Sequence, residues 1–244
     1  MQNHQIVSQE EWIAARKALL VKEKELTRLR DQLNAERRAL PWVKVEKPYV
    51  FDAPEGSVTL ADLFDGRSQL LVKHFMFGPD WQQGCVGCSF GADHVDGPSV
   101  HLEHHDVSYV AVSRAPLPKI EAFKRRMGWR FKWVSSYRND FNYDYNVSFK
   151  PENTSSGQVF YNYEWIGSQG DEMPGMSVFY QDAAGNVFHT YSRYGRGGEE
   201  ALGTYSFLDI TPNGRSETIN GNLTDWVRHH DRYDGASGSC GHSD

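Results

Sequence analysis

The chain has 244 residues, 39% of them hydrophobic and 13% aromatic, enough to pack one large or two small cores. Its 26 Lys and Arg against 32 Asp and Glu give a net charge of −6, and no basic block lies outside one mixed-charge segment, which excludes the electrostatic footprint of a nucleic-acid-binding protein. No run of about 18 apolar residues occurs and the first residues lack a basic stretch followed by an apolar one, so a soluble, cytoplasmic protein with no membrane partner is expected.

Ser8 to about Leu40 read as one long helix, opened by the capping box Ser8-x-x-Glu11 and closed by Pro41. Trp12, Leu19, Leu26, Leu33 and Leu40 recur every seven residues, while Lys22 and Glu36 interrupt the seam. Such a stripe fits packing on the chain's own domain or a homodimer arm better than a free coiled coil. After a linker, 41–48, the run Tyr49-Val50-Phe51-Asp52 and the segment Val58 to Gly66 read as a strand, a turn and a short helix. Leu70 to Phe77 is an apolar run with the look of a buried strand.

Beyond Cys88 a helix extends to about His105, broken by Gly91, Gly97 and Pro98. Val107–Ser113 is a second buried strand. Pro116–Met127 is a helix with Ile120, Phe123 and Met127 on one face and Gly128 at its end. Phe131–Ser136 alternates like a strand, and Ser177–Tyr180 with Val187–Tyr191 flank the turn Asp182–Asn186 of a hairpin. A closing helix is expected over Leu223–Tyr233, with His229 and His230 in solvent, before a flexible tail, 235–244, that contains Cys240. Strands alternating with helices imply an α/β sheet layered by helices.

Cys85 and Cys88 stand at a strand-to-helix junction, where free helix amides and the positive end of the helix dipole favour thiolate over thiol. One helical turn separates them, a spacing from which a small disulfide ring can close. This arrangement makes Cys85 the candidate attacking thiol and Cys88 the candidate resolving thiol. Two alternatives stay open: buried apolar cysteines, or a metal site in which Cys85 and Cys88 join His94, His101, His104 or His105, with Glu103 and Asp106 in support. No second C-x-x-C exists to complete a zinc ribbon.

The strings His-Phe-Met-Phe-Gly-Pro-Asp-Trp, Gly-Cys-x-Gly-Cys-Ser-Phe, Ala-Asp-His, His-Leu-Glu-His-His-Asp-Val, Val-Phe-His-Thr-Tyr-Ser and Asp-Trp-Val-Arg-His-His-Asp resemble the bacterial family catalogued as domain of unknown function 899, described as predicted dithiol-disulfide oxidoreductases. The resemblance implies a thioredoxin-like fold of the peroxiredoxin type, a mixed sheet flanked by helices, over residues 49–234. It implies thiol-disulfide exchange or thiol-dependent reduction of a disulfide, a peroxide or another small molecule, with a thiol reductant as partner and no cofactor. Aligned on the fold, His74 falls where thioredoxins carry a buried acid, which makes it the candidate proton carrier, with a satisfied strand histidine facing a carbonyl or water as the alternative. Pro174 is the nearest candidate for the cis-proline beside the dithiol, although counting back from the hairpin puts Met176 in that slot. Trp81 and Gly84, in the long loop before Cys85, complete the expected substrate contacts.

Two other features point elsewhere. The aromatic-rich stretch containing Phe131, Trp133, Tyr137, Phe141, Tyr143, Tyr145 and Phe149 could line a cleft, with core packing as the alternative. Gly195, Gly197 and Gly198 lack the context and spacing of a phosphate-binding loop.

Overall fold

The computed structural model describes residues 4–155, 157–195, 197–215 and 225–233. Helix α1 (Gln9–Arg38) opens on the capping box that its sequence spells: the Ser8 hydroxyl accepts from the Glu11 amide while the Glu11 carboxylate accepts from the Ser8 amide at 2.9 Å. It belongs to a unit of its own, Met1–Pro41, and the second unit begins at Trp42.

In the second unit the stretch expected as a linker supplies a strand, because β1 (Val43–Lys44) pairs with the last strand of the sheet. Then come β2 (Val50–Ala53), β3 (Gly56–Thr59), β4 (Gln69–His74), α2 (Val86–Ala92), α3 (Ser99–His104), β5 (Val107–Ser113), α4 (Leu117–Met127) and β6 (Lys132–Ser135). They are followed by α5 (Phe141–Asp144), α6 (Pro151–Ser155), the hairpin β7 (Gln158–Tyr161) and β8 (Glu164–Gly167), then β9 (Gly175–Gln181), β10 (Val187–Tyr194) and α7 (Gly203–Leu208).

Among the described residues one sheet of eight strands runs in the order β1-β10-β9-β4-β5-β6-β2-β3. Strands β4, β5 and β6 are parallel, joined by α2 with α3 and by α4, while β9 and β10 turn antiparallel on the far side of β4. This is the thioredoxin-like arrangement: a parallel pair with a helical crossover, flanked by an antiparallel hairpin on the first strand of the pair. The hairpin turn is set by Asp182, whose carboxylate accepts from the amides of Ala184 and Asn186 at 2.9 and 2.8 Å.

Alternation along the strands separates two cores. Leu70, Val72, Val110, Val112 and Val134 pack on one face with Phe51, Leu63, Phe64 and Phe141. Ala111 and Trp133 face the other way, where Phe75, Phe77, Cys88, Ile120, Phe123 and Met127 cover them. No helix among the described residues is long and apolar enough to cross a membrane.

The expected closing helix over Leu223–Tyr233 does not form in its described part. Residues 225–233 carry a turn, an extended stretch and a single 3-10 turn, His230–Arg232. His229, at ψ 136°, is extended, and its ring is tied to the Gly84 carbonyl, which holds the backbone out of a helical course. The tail 235–244 and Cys240 lie outside the described residues.

Candidate functional site

The loop from β4 to α2 is held by its own packing. Lys119 of α4 donates to the carbonyls of Pro79 and Trp81 at 2.7 and 3.4 Å, and the Trp81 indole sits against Gly78. Gly84 is required by close approach: a Cβ there would lie 2.6 Å from the Phe75 ring and 2.8 Å from the Phe123 ring. The Cys85 amide then donates to the Met76 carbonyl at 3.0 Å, folding the loop back onto the end of β4.

Cys85 is the N-cap of α2, and its carbonyl accepts from both the amide and the hydroxyl of Ser89, at 2.9 and 2.8 Å. Cys88, one turn later, is buried, and both thiols are free. The two sulfurs titrate in opposite directions. The Cys88 thiol donates to the Cys85 sulfur, burial opposes this, and the amides of Cys88 and Gly87 with the Lys73 cation add to it, so Cys85 is pulled down to about 6. The same contact and deep burial push Cys88 well above the ordinary thiol range. The arrangement therefore favours the thiolate at Cys85 and the thiol at Cys88.

His74 is not beside this pair. Strand alternation turns it, with Leu70 and Val72, to the opposite face of the sheet from Cys88. There its ring stacks on Tyr145 and its Nε2 lies 2.8 Å from the Ser177 hydroxyl, which continues to Ser192 and His189. Burial drives its pKa down to about 3 and favours the neutral ring, and the sheet stands between it and the dithiol. The residue on the dithiol face is its neighbour Lys73. The signal was present in the sequence, since in Leu-Leu-Val-Lys-His-Phe a period of two puts Lys73 with Phe75 and His74 with Val72.

Pro174 precedes β9, its carbonyl accepts from the Tyr161 hydroxyl at 2.6 Å, and no cis peptide bond occurs among the described residues, so this candidate for the cis-proline is trans. Pro174 and Met176 line a cavity with Lys73, on the same face as the cysteines. Trp81 and Gly84 stand on the α4 side of the loop instead, so the expected substrate contacts divide into two groups.

Among the described residues the histidines do not converge and the aromatic stretch divides. Nε2 of His94 accepts from the Thr204 amide at 3.1 Å, which leaves Nδ1 as the donor to the Phe90 carbonyl at 2.7 Å. His101, His104 and His105 are exposed on and after α3, and among the described residues no three His, Cys, Asp or Glu side chains converge as metal ligands. The aromatic residues are shared among separate cores: Phe131 and Trp133 lie with Cys88, Phe141 and Tyr145 on the other face, and Phe149 with Tyr161 and Tyr194.

A feature that the sequence reading missed is the strap formed by His229, His230 and Asp231. His229 donates from Nε2 to the Gly84 carbonyl at 3.0 Å, beside Cys85, while His230 meets Asp93 at 2.7 Å, just past the end of α2. Asp231 is held by Arg126 through two contacts of 2.8 Å. The strap thus grips both ends of the helix that carries the dithiol.

A family model described as a bacterial protein of unknown function (DUF899) matches residues 1–233. No curated protein matches. Solved structures similar to this chain include the bacterioferritin comigratory protein of Xanthomonas campestris, at 12% identity and TM-score 0.43, covering 66% of this chain and 89% of that one. Another is the peroxidoxin BcpB of Mycobacterium tuberculosis, at 13% identity and TM-score 0.44, covering 68% and 94%. The mitochondrial 2-Cys peroxiredoxin of Plasmodium falciparum is similar at 16% identity and TM-score 0.40, covering 69% and 94%.

Proposed function

We propose that this chain, which belongs to the bacterial family of unknown function DUF899, is a thiol-dependent reductase acting through Cys85 and Cys88 on a small peroxide or disulfide. The observation that carries this reading is the placement of two free thiols: Cys85 at the N-cap of α2, drawn towards the thiolate, and Cys88 one turn later, buried and held towards the thiol.

With a peroxide, the Cys85 thiolate attacks one oxygen, the O–O bond breaks, and the leaving alkoxide or hydroxide takes a proton from solvent. The sulfenic acid on Cys85 is then attacked by the Cys88 sulfur, which releases water and closes the disulfide. With a disulfide, the same thiolate forms a mixed disulfide and Cys88 expels the second thiol. In either case a dithiol reductant returns two electrons and two protons. The hydrogen bond from Cys88 steadies the thiolate first, and the amides of Cys88 and Gly87 with the Lys73 cation add to it.

The test is turnover of cumene hydroperoxide and of a small aromatic disulfide by Cys240→Ser protein with dithiothreitol as reductant. Cys85→Ser should abolish turnover, and Cys88→Ser treated with the oxidant in the absence of dithiothreitol should leave one round of attack and trap a modified Cys85. Full turnover by the Cys85→Ser variant would overturn the reading.

A further inference from the structure

We propose that the cavity between α2, α3 and the β4-β9-β10 surface binds the body of the substrate, and that this substrate is an apolar organic molecule bearing a carboxylate. This assignment rests on the reading of the dithiol for the word substrate; the binding itself does not.

The cavity holds about 340 Å³, within the range of small-molecule sites. Its floor comes from sheet register. Lys73 of β4 pairs with Met176 of β9, which pairs with Arg193 of β10, so the three lie in one row across the sheet, beside Leu71. Leu102 and Leu202 are among the apolar walls.

Two features of the lining select the ligand. First, although the chain carries a net charge of −6, no Asp or Glu among the described residues lines this cavity, whereas Lys73 and Arg193 both do. Second, these cations are under-compensated. Among the described residues no carboxylate pairs with Lys73, and the nearest to Arg193 is Glu200 at 4.0 Å. Arg193 gives one nitrogen to the Gly197 carbonyl at 3.0 Å and turns another to the Met176 sulfur at 3.6 Å, which leaves part of its five-donor fork free. Cations set against apolar walls favour an anion that brings its own hydrocarbon surface. A carboxylate matches the planar fork of Arg193, and the apolar body covers Leu71, Met176, Leu102 and Leu202. Hydrogen peroxide, with no apolar surface, would use none of this.

Lys73 lines this cavity, as does Gly91 of α2, three residues past Cys88, so the binding space lies along the helix that carries the reactive pair. The inference is tested by calorimetric titration of reduced protein with octanoate and with 1-octanol, which share a chain length and differ in charge. Octanoate should bind one-to-one and at least about tenfold more tightly than 1-octanol. Arg193→Gln and Lys73→Gln should each remove about tenfold of the octanoate affinity. The wild-type comparison alone decides the issue if a variant does not fold. Absence of saturable octanoate binding, or equal affinity for the alcohol, would overturn the site. Octanoate is inert towards thiols, so this failure is distinct from failure of the dithiol to turn over. Bound octanoate must also compete with a carboxylate-bearing hydroperoxide in turnover; binding without competition would overturn the substrate assignment.

Discussion

Cys85 and His74 show how single residues with familiar roles are sorted by their surroundings. Iodoacetamide labelling of Cys85 should rise with pH to a plateau with its midpoint near 6, as measured by mass after timed quenching. In Cys88→Ala the midpoint should move upward, because the largest contribution holding the thiolate is the hydrogen bond from Cys88. His74 acts on stability instead. Its folded pKa, about 3, lies below the ordinary histidine value of 6.5, so the stability it contributes is present above 6.5 and is lost as pH falls towards 3. The full difference corresponds to up to about 5 kcal/mol. Urea unfolding between pH 7 and 4 should therefore show a flatter acid limb in His74→Gln than in the parent protein, with the Cys85 labelling midpoint unchanged. A steep acid limb in the variant would place the titration elsewhere. The positions of Cys85 and Cys88 at the junction of strand and helix were legible from spacing and flanking residues. The face that His74 takes was not drawn from the sequence, because a family pattern was laid over the strand in place of the local alternation that puts Lys73 on the dithiol face.

At the scale of elements, α2 has seven residues and depends on what surrounds it. Its start is fixed by the packed Gly84 and by the His229 ring, its end by Asp93, which receives the Trp129 indole N–H at 2.7 Å and meets His230. His229 is 1% exposed, so His229→Ala strands the Gly84 carbonyl without its buried partner, at a cost of about 1–3 kcal/mol. Hydrogen exchange of the Val86–Ala92 amides should quicken in that variant while the amides of β4 and β5 keep their protection. Uniform acceleration across the domain would mean that the strap supports the whole fold and not the dithiol helix. Helix α1 was legible to its capping box, and α4 to its Gly128 stop at φ 68°, because each depends on contacts within about four residues. The strap was not, since its conformation is set by partners more than a hundred positions away, at Gly84 and Arg126.

For the whole molecule, the order of strands and helices was readable because the parallel pair and the closing hairpin each announce themselves locally: apolar runs for β4 and β5, an Asp-led turn for β9 and β10. The insertion between β6 and β9, with α5, α6 and the β7–β8 hairpin, escaped the sequence reading. Its aromatic residues serve separate cores, and no single period runs through them. The cavity was equally hidden, because Lys73, Met176 and Arg193 become neighbours only through register. The dithiol, by contrast, is presented by the fold as a whole, and its redox behaviour tests the central claim most directly. Cys240→Ser protein should be equilibrated in defined glutathione buffers, alkylated, and its adducts counted by mass. The account predicts a reversible two-electron transition confined to Cys85 and Cys88, at a potential between about −270 and −120 mV. Thiols that stay reduced across the whole range would contradict it.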